Sequence, residues 1–224
     1  MHYLDIKQQV EAVCAKLGRD PKSLLLLPVS KAHSAEAIRE VCAQGAEDFA
    51  ENRPDVLLEK EAKLGDIKIR WHFIGNIQSR RIKDIVAHCE FIHSLEKIKH
   101  ASKIDAAAAD LGKVQKVLVE VNVSGEEQKG GIAPEQLPQF LEDCMELEHL
   151  QVCGLMCIAP FQADESTLIE VFTRLKQALF STKEFLGSKQ ASYKELSMGM
   201  SGDWRSALAC GSTMLRIGTA IFSD

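Results

Sequence analysis

The chain has 224 residues, 46% of them hydrophobic and 26% charged, with a formal net charge of -5. That balance suits a globular protein with a sizeable core, argues against a broadly basic nucleic-acid surface, and no apolar run approaches the roughly 20 residues of a bilayer-spanning helix. Seven cysteines, an odd number scattered through apolar segments, point to reduced thiols and a cytoplasmic home, and the charged start MHYLDIKQQV reads as neither secretory signal nor anchor.

In chain order, Ile6, Val10, Val13 and Leu17 recur at helical spacing, so an amphipathic helix over 3–17 precedes the first strand. The run LLLLPVSK (24–31) predicts a strand buried on both faces that ends in a single lysine. Ser34 is placed to cap a helix to about 44 that Gly45 stops. A short strand at 47–50, a helix from 54 to Gly65 and a strand at 69–75 follow, then a helix over 78–87 and a strand over 91–95. Ile98, Ala101, Ile104, Ala108 and Leu111 form a helical stripe closed by Gly112. The valine-rich segment 114–123 is the clearest strand. Pro134 fits the first turn of a helix to about 147, followed by strands at 150–158, 193–198 and 213–217. Helices marked by Leu168, Phe172, Leu175 and Leu179, and by 203–210, lie between them.

Eight strands separated by helices, with an extra amino-terminal helix and no linker, predict an α/β fold: a single (β/α)8 TIM barrel over residues 1–224. An open doubly wound sheet has the same rhythm, but no G-x-G-x-x-G or G-x-x-x-x-G-K-[ST] follows any strand, which weakens a dinucleotide or nucleotide-triphosphate site.

A barrel collects its ligand groups at the carboxyl ends of its strands. Those ends bring Lys31, Glu51-Asn52-Arg53, His72, Gly75-Asn76, Asn122 and Met156 to one face, with SMGMSGD (197–203) and RIGTAIF (216–222) beside them. Taken alone, Lys31 reads as a lysine snorkelling out of a core, and with its stem desolvated it is also a candidate Schiff-base former. The two Gly/Ser/Thr segments follow strands seven and eight, where a TIM barrel's phosphate site commonly lies. A lysine, a phosphate cradle and Arg216 together suit a phosphorylated aldehyde.

PVSK (28–31), FAENR (49–53), WHFIGNIQSRRIK (71–83), VNVSGEEQKGG (121–131), GLMCI (154–158), SMGMSGD and RIGTAIF together resemble the YggS/PROSC family of pyridoxal phosphate homeostasis proteins. The resemblance implies a fold-type III barrel like the amino-terminal domain of alanine racemase. It implies binding of pyridoxal 5'-phosphate without dedicated catalysis, and a part in keeping cofactor and amino-acid pools in balance. By motif, Lys31 would form the Schiff base and Ser201, Gly218 and Thr219 would hold the phosphate. Arg216 would face the pyridine nitrogen, and Asn52, His72 and Met198 would line the pocket. The chain departs from the family's usual FGEN and IGHLQ at Ala50 and Asn76.

No catalytic residue and no metal ligand is assigned: the histidines lack paired ligand spacing, and Cys153 and Cys157 fall on one face of a strand as core residues. Arg80, Arg81 and Lys83 read as a solvated helix face, and 125–131 as a polar loop at the barrel mouth. The alternative is a fold-type III racemase or decarboxylase. Such racemases use a second acid/base tyrosine, and the two tyrosines here, Tyr3 and Tyr193, fall away from the mouth. A lysine-dependent aldolase acting on a phosphorylated substrate is a third reading. Partners are expected to be the cofactor and, through it, PLP-dependent apo-enzymes, with no nucleic acid or membrane and a monomeric chain.

Overall fold

The computed structural model describes residues 1–126 and 128–223. Eight strands, β1 (Leu25–Pro28), β2 (Asp48–Glu51), β3 (Arg70–Phe73), β4 (Cys89–Leu95), β5 (Gln115–Glu120), β6 (Leu150–Met156), β7 (Glu195–Ser197) and β8 (Met214–Ile217), form one sheet in the order β1-β8-β7-β6-β5-β4-β3-β2. All seven neighbouring pairs are parallel. The two ends of that order meet through a single parallel bridge, Val29 to Ala50, backed by a 2.9 Å hydrogen bond from the Ser30 N–H to the Ala50 carbonyl. The sheet is thus rolled into a TIM barrel, and the open doubly wound alternative falls.

The helices form where capping and periodicity put them. They are α1 (Tyr3–Lys16), α2 (Ala35–Ala43), α3 (Pro54–Lys63), α4 (Ile82–His88), α5 (Ile98–Asp110), α6 (Leu137–Met145), α7 (Glu165–Ser181), α8 (Trp204–Ala209) and α9 (Thr219–Phe222). The Ser34 hydroxyl accepts the Ala37 N–H and the Asp164 carboxylate accepts the Thr167 N–H, each satisfying a donor that a helix start leaves free. Three short elements were not among those expected from the sequence: a 310 turn at Pro21–Ser23, a stretch of 310 turns at Lys183–Ser192 and the four-residue α9. Strand ends also retract, β5 stopping at Glu120 rather than 123: Val121 still donates to the Met156 carbonyl of β6, but its bridge is to Ile132, and from Asn122 on the backbone bonds to Ile132 instead of β6.

Two apolar compartments result. Between helices and strands pack Ile38, Phe49, Trp71, Phe73, Ile104, Phe172 and Trp204. Inside the barrel lie Leu118, Cys153, Met156 and Met214, with Leu27, Val29 and Ala50 on the β1–β2 side. Cys153 faces the interior while Cys157 packs in the outer layer, so the expectation that they share a face is corrected. The cause is a bulge: the β5–β6 register shifts between Val117 and Leu118, and Cys153 and Met156, three apart, both turn inward. Gly154 sits at that bulge, where a Cβ would fall 1.9 Å from the Glu195 carbonyl oxygen. Gly154→Ala is therefore expected to cost at least about 2 kcal/mol of stability, read as a lower urea midpoint with unchanged slope.

Candidate functional site at the barrel mouth

The carboxyl end of β1 carries the site's lysine. Past Pro28 the chain turns sharply: the His33 N–H donates to the Ser30 carbonyl and Ala32 takes a left-handed φ of 64°. Lys31 stands on this turn, exposed to solvent rather than with the partly desolvated ammonium that the sequence suggests. The turn is held from both sides. The His33 ring stacks on Phe222 of α9 at 4.5 Å. From below, the buried Lys60 ammonium of α3 donates to the Ser30 carbonyl at 2.8 Å and pairs with the Glu51 carboxylate of β2. Glu51 in turn accepts the Asn52 N–H at 2.8 Å and the Ser30 hydroxyl at 3.3 Å. Asn52 itself is exposed at the rim.

β8 pairs with β1 in register, so the residues after β8 stand beside the Lys31 turn. A Cβ on Gly218 would lie 3.3 Å from the Val29 carbonyl oxygen, a tight contact that a bare glycine backbone avoids. Among the described residues, the N–H groups of Gly218 and Thr219 donate to no protein acceptor. Facing them, the Ser201 hydroxyl accepts the Ala220 N–H at 3.2 Å, tying the loop after β7 to α9. Gly199, with φ at 97°, lets this loop turn where a Cβ would meet Ala207 at 2.7 Å. The Asp203 carboxylate holds the loop's Met200 N–H at 2.5 Å. Among the described residues, free backbone donors and two hydroxyls, beside an Asp203 carboxylate that is already engaged, make this corner a candidate anion cradle.

Arg216 is buried with its head inside the barrel, donating from one nitrogen to the Ser197 hydroxyl at 2.6 Å and from the other to the Cys157 carbonyl at 2.8 Å. Burial lowers its pKa, offset in part by Cys157, Glu120 and Asp203; a guanidinium stays charged nonetheless. His72 is buried deeper, both ring nitrogens engaged, with His93 at 2.9 Å and Asp48 at 3.2 Å. Met198 is fully buried in the outer core layer, behind the loop that carries Ser201. Thus Lys31, Asn52, Ser201, Gly218 and Thr219 share the rim, Arg216 forms the base beneath it, His72 lies deeper inside the barrel, and Met198 stands in the wall behind.

Sequence reasoning missed Ser197, His93, Glu51 as a buried ion and its partner Lys60. The alternation of FIHSL (91–95) puts His93 on one face with Phe91, which was a readable signal; that this face is the barrel interior was not. Glu120, at the end of β5, was also missed: burial first and then Glu96 push its carboxyl up to about 7 against the pull of Arg216. It lines a cavity of about 250 Å³ with Asn122, Lys129 and Gly130. Among the described residues no group of three or more His, Cys, Asp or Glu side chains is placed to hold a metal ion, and no helix is long and apolar enough to cross a membrane. The polar loop expected at 125–131 includes Glu127, which lies outside the described residues.

Two stability measurements test this framework. Lys60→Met strands the buried Glu51 charge and is expected to lose about 3–5 kcal/mol, much of it regained in Lys60→Met/Glu51→Gln, as read by urea unfolding. Burial alone would raise the Asp48 carboxyl, but hydrogen bonds from His72 and Arg70 outweigh it and hold it at about 2. A depressed carboxylate contributes stability that is present above the unfolded value near 4 and lost as pH falls towards 2. Asp48→Asn should therefore lose about 2 kcal/mol at pH 7 and flatten the loss of stability between pH 4 and 2.

The comparisons with known proteins bear on this geometry. A family described as alanine racemase, N-terminal domain, matches residues 4–224. The chain is 38% identical over 218 residues to the pyridoxal phosphate homeostasis protein of Pseudomonas aeruginosa, covering 97% of this chain and 91% of that one. It is 35% identical over 219 residues to the protein of that name from Aquifex aeolicus, covering 98% and 95%. Among solved structures, PipY of Synechococcus elongatus PCC7942 with pyridoxal phosphate bound superposes with a TM-score of 0.84 at 33% identity, covering 96% of this chain and 100% of that one. An alanine racemase of Clostridium difficile 630 shares the fold alone, with a TM-score of 0.66 at 15% identity, and this chain spans 57% of its length. Nearly full-length identity above 30% to proteins of one description, on the barrel just described, places this chain in the family of pyridoxal phosphate homeostasis proteins, within the larger alanine racemase N-terminal domain family.

Proposed function

We propose that this chain binds pyridoxal 5'-phosphate at the barrel mouth through Lys31, and that it holds and delivers that cofactor inside the cell without a dedicated turnover of its own. The observation that carries the reading is the convergence of three unlike groups at one rim. An exposed lysine stands after β1, an anion cradle follows β7 and β8, and between them lies the buried guanidinium of Arg216. The cofactor bound by PipY presents three parts that match those groups: an aldehyde, a phosphate and a ring nitrogen.

When bound, pyridoxal phosphate supplies an aldehyde that condenses with a lysine amine and releases water. The exposed turn offers the Lys31 amine to it while Lys60, Glu51 and Phe222 keep the turn still. Ser201, Thr219 and the free N–H groups of Gly218 and Thr219 receive the phosphate, whose charge replaces no existing partner there. Arg216 has only donors, so towards the pyridine nitrogen it donates and keeps that nitrogen unprotonated, which weakens the ring as an electron sink. Asn52 closes the rim; His72 supports it from deeper inside the barrel and Met198 from within the wall.

The tyrosines support the non-catalytic part of this reading. Tyr193 lies ahead of β7 at the opposite end of the barrel, its hydroxyl 3.0 Å from that of Thr182. Tyr3 belongs to α1 and lines a cavity on the same floor with Asp48 and Arg70. Neither can reach a substrate carbon at the mouth as a second acid/base. We take residues 1–224 as one binding unit, a cytoplasmic monomer whose clients are apo-enzymes that need the cofactor.

The visible spectrum with and without added pyridoxal phosphate tests this. Wild type should show the absorption band of lysine-bound cofactor, Lys31→Ala should lack it, and D- or L-alanine should not be racemised. A band unaffected by Lys31→Ala would remove the lysine from its role, and racemisation at enzymatic rates would move the chain to the racemase class.

A further inference from the structure

Barrel interiors are usually filled by branched apolar side chains, and a buried polar group without a partner is costly. Here a line of polar side chains crosses the interior from the mouth to the floor. The Arg216 guanidinium contacts the Ser197 hydroxyl at 2.6 Å, and that hydroxyl lies 2.9 Å from Nδ1 of His93. Nε2 of His93 is 2.9 Å from Nδ1 of His72, and Nε2 of His72 is 3.2 Å from the Asp48 carboxylate. Arg70 donates to both Asp48 oxygens, at 2.9 and 2.6 Å. The Phe91 ring stacks on His72 at 5.2 Å and meets His93 edge-on at 6.0 Å, so both imidazole planes are set by packing as well.

The two ends of this line determine its direction. Arg216 can only donate, so Ser197 accepts from it; Asp48, ionised, can only accept, so His72 donates to it through Nε2. The His72 Nδ1 is then an acceptor and takes the Nε2–H of His93, whose own Nδ1 is left to accept the Ser197 O–H. Every donor meets an acceptor. With both histidines in the other tautomer, the Ser197 hydroxyl would receive two donors and its own hydrogen would have no acceptor among the described residues. Burial above all, with repulsion from Arg216 behind it, also holds His93 well below the ordinary imidazole range, so it stays neutral.

We propose that His93, with His72 and Asp48 behind it, is a positioning relay that takes the Ser197 hydrogen, leaves the Ser197 oxygen to act only as an acceptor towards Arg216, and so locks the guanidinium in place under the cofactor ring. A serine hydroxyl alone rotates freely and could turn its hydrogen towards the guanidinium. His93 removes that freedom, and the carboxylate on the barrel floor removes it from His93. The cofactor's electronic environment at the mouth is thereby set by a charge on the opposite face of the barrel. The proposal rests on the reading that Arg216 faces the cofactor, but the relay itself is measurable without cofactor.

The test has two parts. In the cofactor-free, 15N-labelled protein, long-range 1H–15N spectra of the imidazoles should show His72 and His93 both protonated at Nε2 and not at Nδ1. With pyridoxal phosphate added, His93→Phe should shift the visible band of the lysine-bound cofactor and weaken cofactor affinity about tenfold, the scale of one hydrogen bond to a charged group. His93→Asn, whose amide oxygen can take the place of Nδ1 as acceptor for Ser197, should restore most of both, a rescue that a purely space-filling role would not produce. An Nδ1–H tautomer at either histidine overturns the relay, as does a His93→Phe protein with wild-type band and affinity. Should wild type itself give no band, the cofactor reading fails while the tautomers still decide the relay.

Discussion

The barrel depends on one seam. Around the sheet, β1 and β2 meet outside the regular strands, through a single bridge from Val29 to Ala50 that closes the circle and is as thin as the one Ser197–Met214 pair between β7 and β8. A closure this thin needs side chains to hold it. The Ser30 hydroxyl, the Glu51 carboxylate and the Lys60 ammonium, all buried, lock the two strand ends together just below the rim. Two charges removed from water cost several kcal/mol each unless fully paired, and here each has further hydrogen bonds to the backbone. The residue next after Ser30 is Lys31. The group that closes the barrel is therefore also the group that aims the lysine.

The same economy of placement governs the opposite wall. β8 carries Arg216 inward and ends in a backbone with free N–H groups, so one strand supplies both a cation for the barrel interior and donors for the rim. α9 is too short to be stable alone, yet it is held by His33 stacking on Phe222 and by the Ser201 hydroxyl on the Ala220 N–H. The loops after β1, β7 and β8 are thus mutually braced, and the cradle between them exists before any ligand arrives. Preformed donors lose little entropy on binding, which suits a protein that holds a cofactor.

Legibility in the sequence followed the range of the signal. Helix α2 was readable because its cap, Ser34, and its stop, Gly45, are local. The strands were readable as apolar runs, and eight of them between helices spelled a barrel. Lys31, Ser201, Arg216, Gly218 and Thr219 were readable as strand-end chemistry and through the family resemblance. Cys153 and Cys157 were misjudged because the Gly154 bulge, invisible in an alternation pattern, inserts a residue between two faces. The exposure of Lys31 was misjudged because the apolar run before it says nothing about the left-handed turn at Ala32.

What the sequence by itself determined was the identity and order of the elements and the chemical types waiting at their ends, because periodicity, capping and turn residues act over a few positions. What only the tertiary structure decided was partnership across distance. Lys60 finds Glu51 from the next helix, and Ser197 finds His93 from 104 residues away. Asp48 on the floor becomes the end of a line that starts at Arg216. The last two arise because closing the sheet forces inward-facing residues of different strands into one narrow, water-poor space, and Lys60 meets Glu51 because α3 packs back over β2; in both places each buried polar atom has to find another.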